Sequence, residues 1–230
     1  MRWKKRSSTV TPCAISADAT AQAPPSPAPA PAAGSPPVVV FLGDSLTAGY
    51  GLAADEAFPA LVAAALAERG SPIRAINAGV SGDTTAGGLR RLDWALKNRP
   101  QVVVVALGAN DGLRGQPLEA IESNLAAIVA KARGAGARVL LAGMLMPPNY
   151  GGAYASGFAA IYPRLARKLE LPLVPFLLEG VAGHPELNQA DGIHPTVEGQ
   201  RIVARNVVPH LAPLVASDAP ARTGAAAQGR

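Results

Sequence analysis

The chain has 230 residues, 49% of them apolar, which is enough for one substantial core and too few for two large domains. Its formal charge of +5 sits largely at the ends: of 21 basic and 16 acidic side chains, four and one fall in residues 1–37 and two and one in residues 215–230, leaving 15 against 14 in residues 38–214. That near-neutral body excludes a basic face for nucleic acid, and the single cysteine, Cys13, excludes an internal disulfide framework and a cysteine-based zinc site.

In chain order, Arg2, Lys4, Lys5 and Arg6, followed by Ala19-Thr20-Ala21, resemble the two ends of a secretory signal, although residues 7–18 are too polar for its apolar middle. The expectation is a periplasmic or secreted protein, with the cytoplasm as the alternative. Residues 22–37, QAPPSPAPAPAAGSPP, read as a Pro/Ala linker that contributes nothing to a core. No run approaches the roughly 20 apolar residues of a membrane span. The folded domain is expected over residues 38–214, with a loose tail over 215–230.

Within 38–214, short apolar runs alternate with segments of helical period. The runs are VVVFLG (38–43), IRAIN (73–77), VVVVALG (102–108), RVLLAG (138–143) and LPLVPF (171–176). Strands buried on both faces have this composition, which implies a parallel sheet covered by helices. Between the runs, Phe58, Leu61, Val62, Ala65 and Leu66 repeat at i, i+3, i+4, i+7 and i+8, as do Leu118, Ile121, Leu125, Ile128 and Val129, and a third set comprises Phe158, Ile161, Tyr162, Leu165 and Leu169. Asp83 or Ser81 is expected to cap the helix that follows them, and Thr196 to cap a last helix carrying Ile202, Val203, Val207 and Leu211. Five βα units in a row predict a three-layer α/β/α fold around a five-stranded parallel sheet with right-handed crossovers.

Ligands of such sheets bind beyond the carboxyl ends of the strands. The polar residues there are Gly43-Asp44-Ser45, Asn77-Ala78-Gly79 with VSGDTT, Gly108-Ala109-Asn110-Asp111, and DGIHP at 191–195. Acyl transfer needs a nucleophile, a base, a group that orients the base, and donors for the oxyanion. Ser45 can attack from its strand-to-helix turn, His194 can take its proton, and Asp191, in the same loop, can hold the imidazole tautomer. The N–H groups of Ser45 and Gly79 and the amide of Asn110 complete an oxyanion hole. Taken singly, each motif has a plainer meaning: Ser45 as a helix cap, Gly79 as a residue with positive φ, Asn110-Asp111 as an Asx turn, DGIHP as a surface turn. Their occurrence in order at successive strand ends favours the catalytic assignment. Asp44 is expected to bond backbone around its turn, and His184 and His210 to lie outside the chemistry.

The blocks GDSLTAGYG, NAGVSGDTT, LGAND and DGIHP resemble those of the GDSL or SGNH hydrolases, over essentially residues 38–212. The segments GLRRL, GANDGLRG, MPPNYG, IYPRLA and LPLVPF are similar to the bacterial thioesterase, arylesterase and lysophospholipase branch of that family. The resemblance implies a flavodoxin-like sheet, with the nucleophile at Ser45, the oxyanion residues at Gly79 and Asn110, the base at His194 and its partner at Asp191. It also implies a small-molecule acyl ester or thioester as substrate, neither cofactor nor metal, and no nucleic-acid partner, and it leaves the oligomeric state open.

Substrate choice is expected in the loops 111–117 and 144–154, where Leu113, Leu145, Met146, Tyr150 and Tyr154 can wall an acyl chain or simply pack the loops. Two other readings are a carbohydrate O-acetylesterase, disfavoured by only 4% aromatic residues, and a catalytically silent binding module. Other chemistries lack their motifs. GAGAR (134–138) leads into a strand instead of following one, and GxxxxGK, HExxH and GxSxG are absent.

Overall fold

The computed structural model describes residues 35–216, so the signal-like start, Cys13, most of the Pro/Ala linker and nearly all of the tail lie outside the described residues. Five strands form one parallel sheet: β1 (Val38–Gly43), β2 (Arg74–Gly79), β3 (Val102–Ala106), β4 (Arg138–Ala142) and β5 (Leu173–Val174), in the order β2-β1-β3-β4-β5. That order is the flavodoxin-like one, whose switch point falls between β1 and β3. Seven α-helices are described: α1 (Ser45–Ala48), α2 (Phe58–Glu68), α3 (Thr85–Leu96), α4 (Ala109–Leu113), α5 (Leu118–Gly134), α6 (Gly152–Lys168) and α7 (Val197–Ala216).

Burial follows position in the sheet. Every residue of β1 and β3 is buried, because neighbours flank them and helices cover both faces. β2, at the edge, keeps only Ala78 fully buried, so the expectation of a strand apolar on both faces fails there. At the opposite edge β5 shrinks from the expected six residues to two. Pro172 and Pro175 flank Leu173–Val174, and proline lacks the N–H that would extend the ladder.

The helical repeats identified in the sequence turn Phe58, Val62, Leu66, Ile121, Leu125, Ile128, Phe158, Ile161 and Leu165 onto the sheet, all essentially inaccessible to solvent. Thr196 Oγ1 accepts from Gly199 N at 3.3 Å at the start of α7, as expected. The cap of α3 is different from the expected one. Thr84 takes that place, accepting from Gly87 N at 3.1 Å, while Asp83 turns to an ion pair with Arg91 at 2.6 Å.

Candidate active site

The turn after β1 presents Ser45. Asp44 caps α1 by accepting from Leu46 N at 3.0 Å, which puts Ser45 at the first helical position, where an N–H has no intrahelical acceptor. Asp44 is almost wholly buried, and burial raises its carboxyl to about 6 against the pull of the Leu46 N–H, its own N–H, the charge of His194 and the Asn110 amide. Gln200, buried on α7, accepts from Phe58 N at 2.9 Å and donates to Leu46 O at 3.2 Å, fixing α1 against α2 and α7.

His194 reaches Ser45 from the loop before α7. Its Nε2 lies 2.9 Å from Ser45 Oγ, and its Nδ1 lies 2.6 Å from Asp191 Oδ2. Asp191 Oδ1 also accepts from the N–H groups of Ile193 at 2.9 Å and His194 at 3.0 Å. The His194 N–H first, then its ring and the Ile193 N–H, hold this carboxyl at about 2. The loop is pinned by a bridge between Asn188 and Pro195, and the Asn188 amide donates to Val181 O at 2.7 Å and His184 O at 2.8 Å. Nδ1 donating to Asp191 leaves Nε2 as the nitrogen able to take the Ser45 proton. Ser45, His194 and Asp191 are therefore brought together in one hydrogen-bonded row.

Around Ser45 Oγ, two of the three expected oxyanion donors are available. Ser45 N has no acceptor among the described residues, and Asn110 Nδ2 uses one hydrogen on Asp44 Oδ2 at 3.4 Å, leaving the other to point elsewhere. Gly79 differs from expectation in two ways. Its N–H is taken by Asn77 Oδ1 at 2.9 Å, and its neighbour Val80 donates to Gly43 O, so alternation along the strand turns the Gly79 N–H to the free edge of β2, away from Ser45. Its φ is not positive either. Glycine is needed there because a Cβ would stand 2.7 Å from Ala48 Cα and closer still to Ala48 N. Three residues on, the turn Val80–Asp83 closes with Asp83 N donating to Val80 O, and Gly82, at φ 77°, keeps an N–H without an acceptor among the described residues.

Long-range partners that the sequence did not reveal bind these turns together. Arg91 donates to Asp83 Oδ2 at 2.6 Å, Ala78 O at 2.7 Å and Gly43 O at 2.8 Å, spanning the ends of β1 and β2. Asp111, also buried, does not form the Asx turn considered from sequence. It accepts from Thr85 N at 2.8 Å and Thr85 Oγ1 at 2.6 Å, tying α4 to the start of α3. Gly108, at φ 120°, enters α4 where any Cβ would overlap the Tyr162 hydroxyl. None of these long-range partners leaves a local spacing signal.

The five side chains expected to wall an acyl chain divide. Leu113, the last residue of α4, is exposed beyond β3, and Leu145 and Tyr150 are exposed in the segment beyond β4. Met146 packs over Gly112 against the core, and Tyr154 is half-buried with its hydroxyl donating to Gln116 O at 2.7 Å, which makes it a tie between α6 and the loop after α4. His184 lies in a loop 3.3 Å from Glu186, and His210 on α7, so neither joins the cluster.

The profile of the GDSL-like Lipase/Acylhydrolase family matches residues 41–202, the stretch that carries every one of these turns. The chain belongs to that family. Among curated GDSL relatives it is 45% identical to Esterase TesA of Pseudomonas aeruginosa over 178 residues, covering 77% of this chain and 89% of that protein. It is 43% identical to an Arylesterase of Vibrio mimicus (75% and 89% covered) and 41% identical to Thioesterase 1/protease 1/lysophospholipase L1 of Escherichia coli K12 (81% and 88% covered). Among solved structures, the psychrotrophic esterase EstA from Pseudoalteromonas, in a form inhibited by monoethylphosphonate, superposes with a TM-score of 0.74 at 34% identity, covering 78% of this chain and 99% of that one. This GDSL hydrolase is thus an enzyme acting on ester bonds, built on the three-layer fold expected from its sequence. Among the described residues no helix is long and apolar enough to cross a membrane.

Proposed function

We propose that Ser45 is the nucleophile of a two-step esterase. Its Oγ attacks the acyl carbonyl while His194 Nε2 takes its proton; the same nitrogen then protonates the departing alcohol or thiol, and water, deprotonated by His194, releases the acid from the acyl-enzyme. The observation that carries this reading is the pair of distances at His194, 2.9 Å to Ser45 Oγ and 2.6 Å to Asp191 Oδ2. Asp191 keeps the imidazole oriented and stabilises the imidazolium.

The oxyanion is received by Ser45 N–H, the Asn110 amide and, in place of Gly79, the Gly82 N–H. Gly82 is favoured because Arg114, at the end of the helix that carries Asn110, donates to its carbonyl at 3.0 Å, so the two donors share one support. Each such donor contributes about 3–4 kcal/mol to lowering the barrier.

The substrates of this proposal are aryl esters and short to medium acyl esters and thioesters, with lysophospholipids as larger members of the class. Exposed Leu113, Leu145 and Tyr150 supply an apolar wall for the chain, and the esterase, arylesterase and thioesterase names of the relatives support the range. Residues 38–214 are taken as the catalytic domain. Export to the periplasm or beyond belongs to the same proposal, on the basic start and Ala19-Thr20-Ala21, and cell fractionation tests it.

The test of substrate class is a p-nitrophenyl ester series beside acyl-CoA thioesters and a lysophospholipid, with Ser45→Ala as control. Turnover rising from acetate to octanoate supports the wall. Activity on acetate alone, or release of acetate from acetylated xylan with little on octanoyl esters, overturns it in favour of an O-acetylesterase.

A further inference from the structure

Tyr50 has half of its surface (52%) exposed, yet it is not loose. Its ring lies against the imidazole of His194, centroids 4.6 Å apart and planes 36° from parallel. Its backbone is held from both sides of the site. Tyr50 N donates to Ser45 O at 3.1 Å, and Tyr50 O accepts from Gln189 Nε2 at 2.7 Å. The same Gln189 amide reaches Pro195 O at 3.1 Å, and Gln189 N donates to His194 O at 2.7 Å. One glutamine thus clamps the segment after the Ser45 helix to the loop that carries His194. The Tyr50 hydroxyl bonds nothing among the described residues, so no hydrogen bond of its own accounts for where the ring sits.

The chemistry at His194 says what that ring would meet. When the acyl–oxygen or acyl–sulfur bond breaks, its electron pair stays on the leaving atom, and the proton on Nε2 passes to that atom. The leaving atom therefore sits about 3 Å from Nε2, and its substituent must run out past the imidazole. An aromatic ring already stacked on that imidazole, with its outer face in solvent, is positioned to receive it. Ile193, also 52% exposed and next in sequence to His194, extends the apolar surface on the same loop. The acyl wall is a separate surface, on the loops beyond β3 and β4.

We propose that Tyr50, held by Gln189, is the specificity-determining residue for the leaving group, and that it selects flat aromatic alcohols and thiols over compact aliphatic ones. This rests on the acyl-enzyme reading given above. An offset aromatic contact of this kind favours the aryl ester about tenfold. The preference acts only on acylation, because the leaving group has gone before water attacks the acyl-enzyme.

The test compares 2-naphthyl acetate with hexafluoroisopropyl acetate, which share an acyl group and have leaving groups of similar acidity, one flat and aromatic and one neither. In Tyr50→Ala the ratio of kcat/KM for the naphthyl ester to that for the fluoroalkyl ester should fall about tenfold, Tyr50→Phe should keep the wild-type ratio, and the decay rate of the acetyl-enzyme should be the same in all three. A loss shared equally by both esters would assign the ring to steadying His194 and overturn the proposal, as would an unchanged ratio. Labelling by a small fluorophosphonate separates the two layers. If wild-type Ser45 is not labelled, the acyl-enzyme reading falls and this one with it; if Ser45 is labelled in all three proteins and the ratio does not move, only the assignment of Tyr50 falls.

Discussion

Asn110 Nδ2 donates to Asp44 Oδ2 across 3.4 Å, so the turn leaving β1 and the turn leaving β3 share a hydrogen bond although 66 residues separate them. The acceptor is a buried carboxyl raised to about 6. Between its unfolded value of 3.8 and about 6, the folded chain holds a proton that the unfolded chain has lost, so this group lowers stability as pH rises through that window, by about 3 kcal/mol in all. Asp44→Asn removes that slope and also removes an acceptor from Asn110. Urea unfolding should show the variant gaining stability relative to wild type between pH 4 and pH 7, while kcat on p-nitrophenyl acetate falls about tenfold or more. A stability difference independent of pH would contradict the account of Asp44.

Asp191 behaves in the opposite sense. Held at about 2, it contributes stability that is fully present above the unfolded value of 3.8 and is lost as pH falls toward 2. It stays ionised wherever the enzyme works, so no inflection of the rate between pH 5 and 9 should belong to it. Asp191→Asn should lower kcat by two to four orders of magnitude. The melting temperature should hardly move, because the side chain is 39% exposed. A large drop in melting temperature with kcat retained would make the loop pairing structural.

Gly79 supports the nucleophile's helix by absence of bulk. A Cβ at this position meets backbone atoms of Thr47 and Ala48, which cannot rotate away, whereas one at Gly82 meets only the tip of Arg114 at 3.8 Å. Gly79→Ala should displace α1, lower kcat at least tenfold and cost about 1–3 kcal/mol in stability. Gly82→Ala should cost about 1–2 kcal/mol, through its positive φ alone. A Gly79→Ala variant that keeps both its kcat and its thermal unfolding would refute the close-approach explanation.

Asp111 sits 3% exposed between α4 and α3, accepting from both polar groups of Thr85, while Asn124 donates to the same threonine hydroxyl at 3.1 Å. Asp111→Ala leaves the Thr85 N–H without its acceptor in a buried place and should cost about 2–4 kcal/mol by denaturant unfolding. Asp111→Asn, which keeps one acceptor oxygen, should cost less. A loss below about 0.5 kcal/mol for the alanine variant would show that this network does not hold the two helices.

The sequence displays the sheet clearly where burial is complete. Val38–Gly43 and Val102–Ala106 are apolar at almost every position because helices cover both their faces, and helical repeats such as Phe58, Val62 and Leu66 meet them from one side. The meeting of Ser45, Asp191 and His194 is foreshadowed for a related reason, since each follows the strand and loop punctuation at the same edge of the sheet. Edge strands give weaker signals, and the two prolines around Leu173–Val174 cut short a run that looks like a full strand. Gly79 misleads because a glycine that admits a neighbouring backbone and one that frees an N–H look identical in one dimension. Arg91, Gln189 and Gln200 are invisible for the same cause: their partners lie 13 to 154 residues away, except the nearby Asp83, Pro195 and His194, and only the folded chain brings them together.

The most direct measurement of the central claim is intact-mass and peptide-level analysis after treatment with a fluorophosphonate, run beside ester turnover. A single adduct on Ser45, with both adduct and turnover lost in Ser45→Ala and labelling slowed in His194→Ala, is the predicted result. Turnover that persists in Ser45→Ala, or an adduct on another residue, would contradict it.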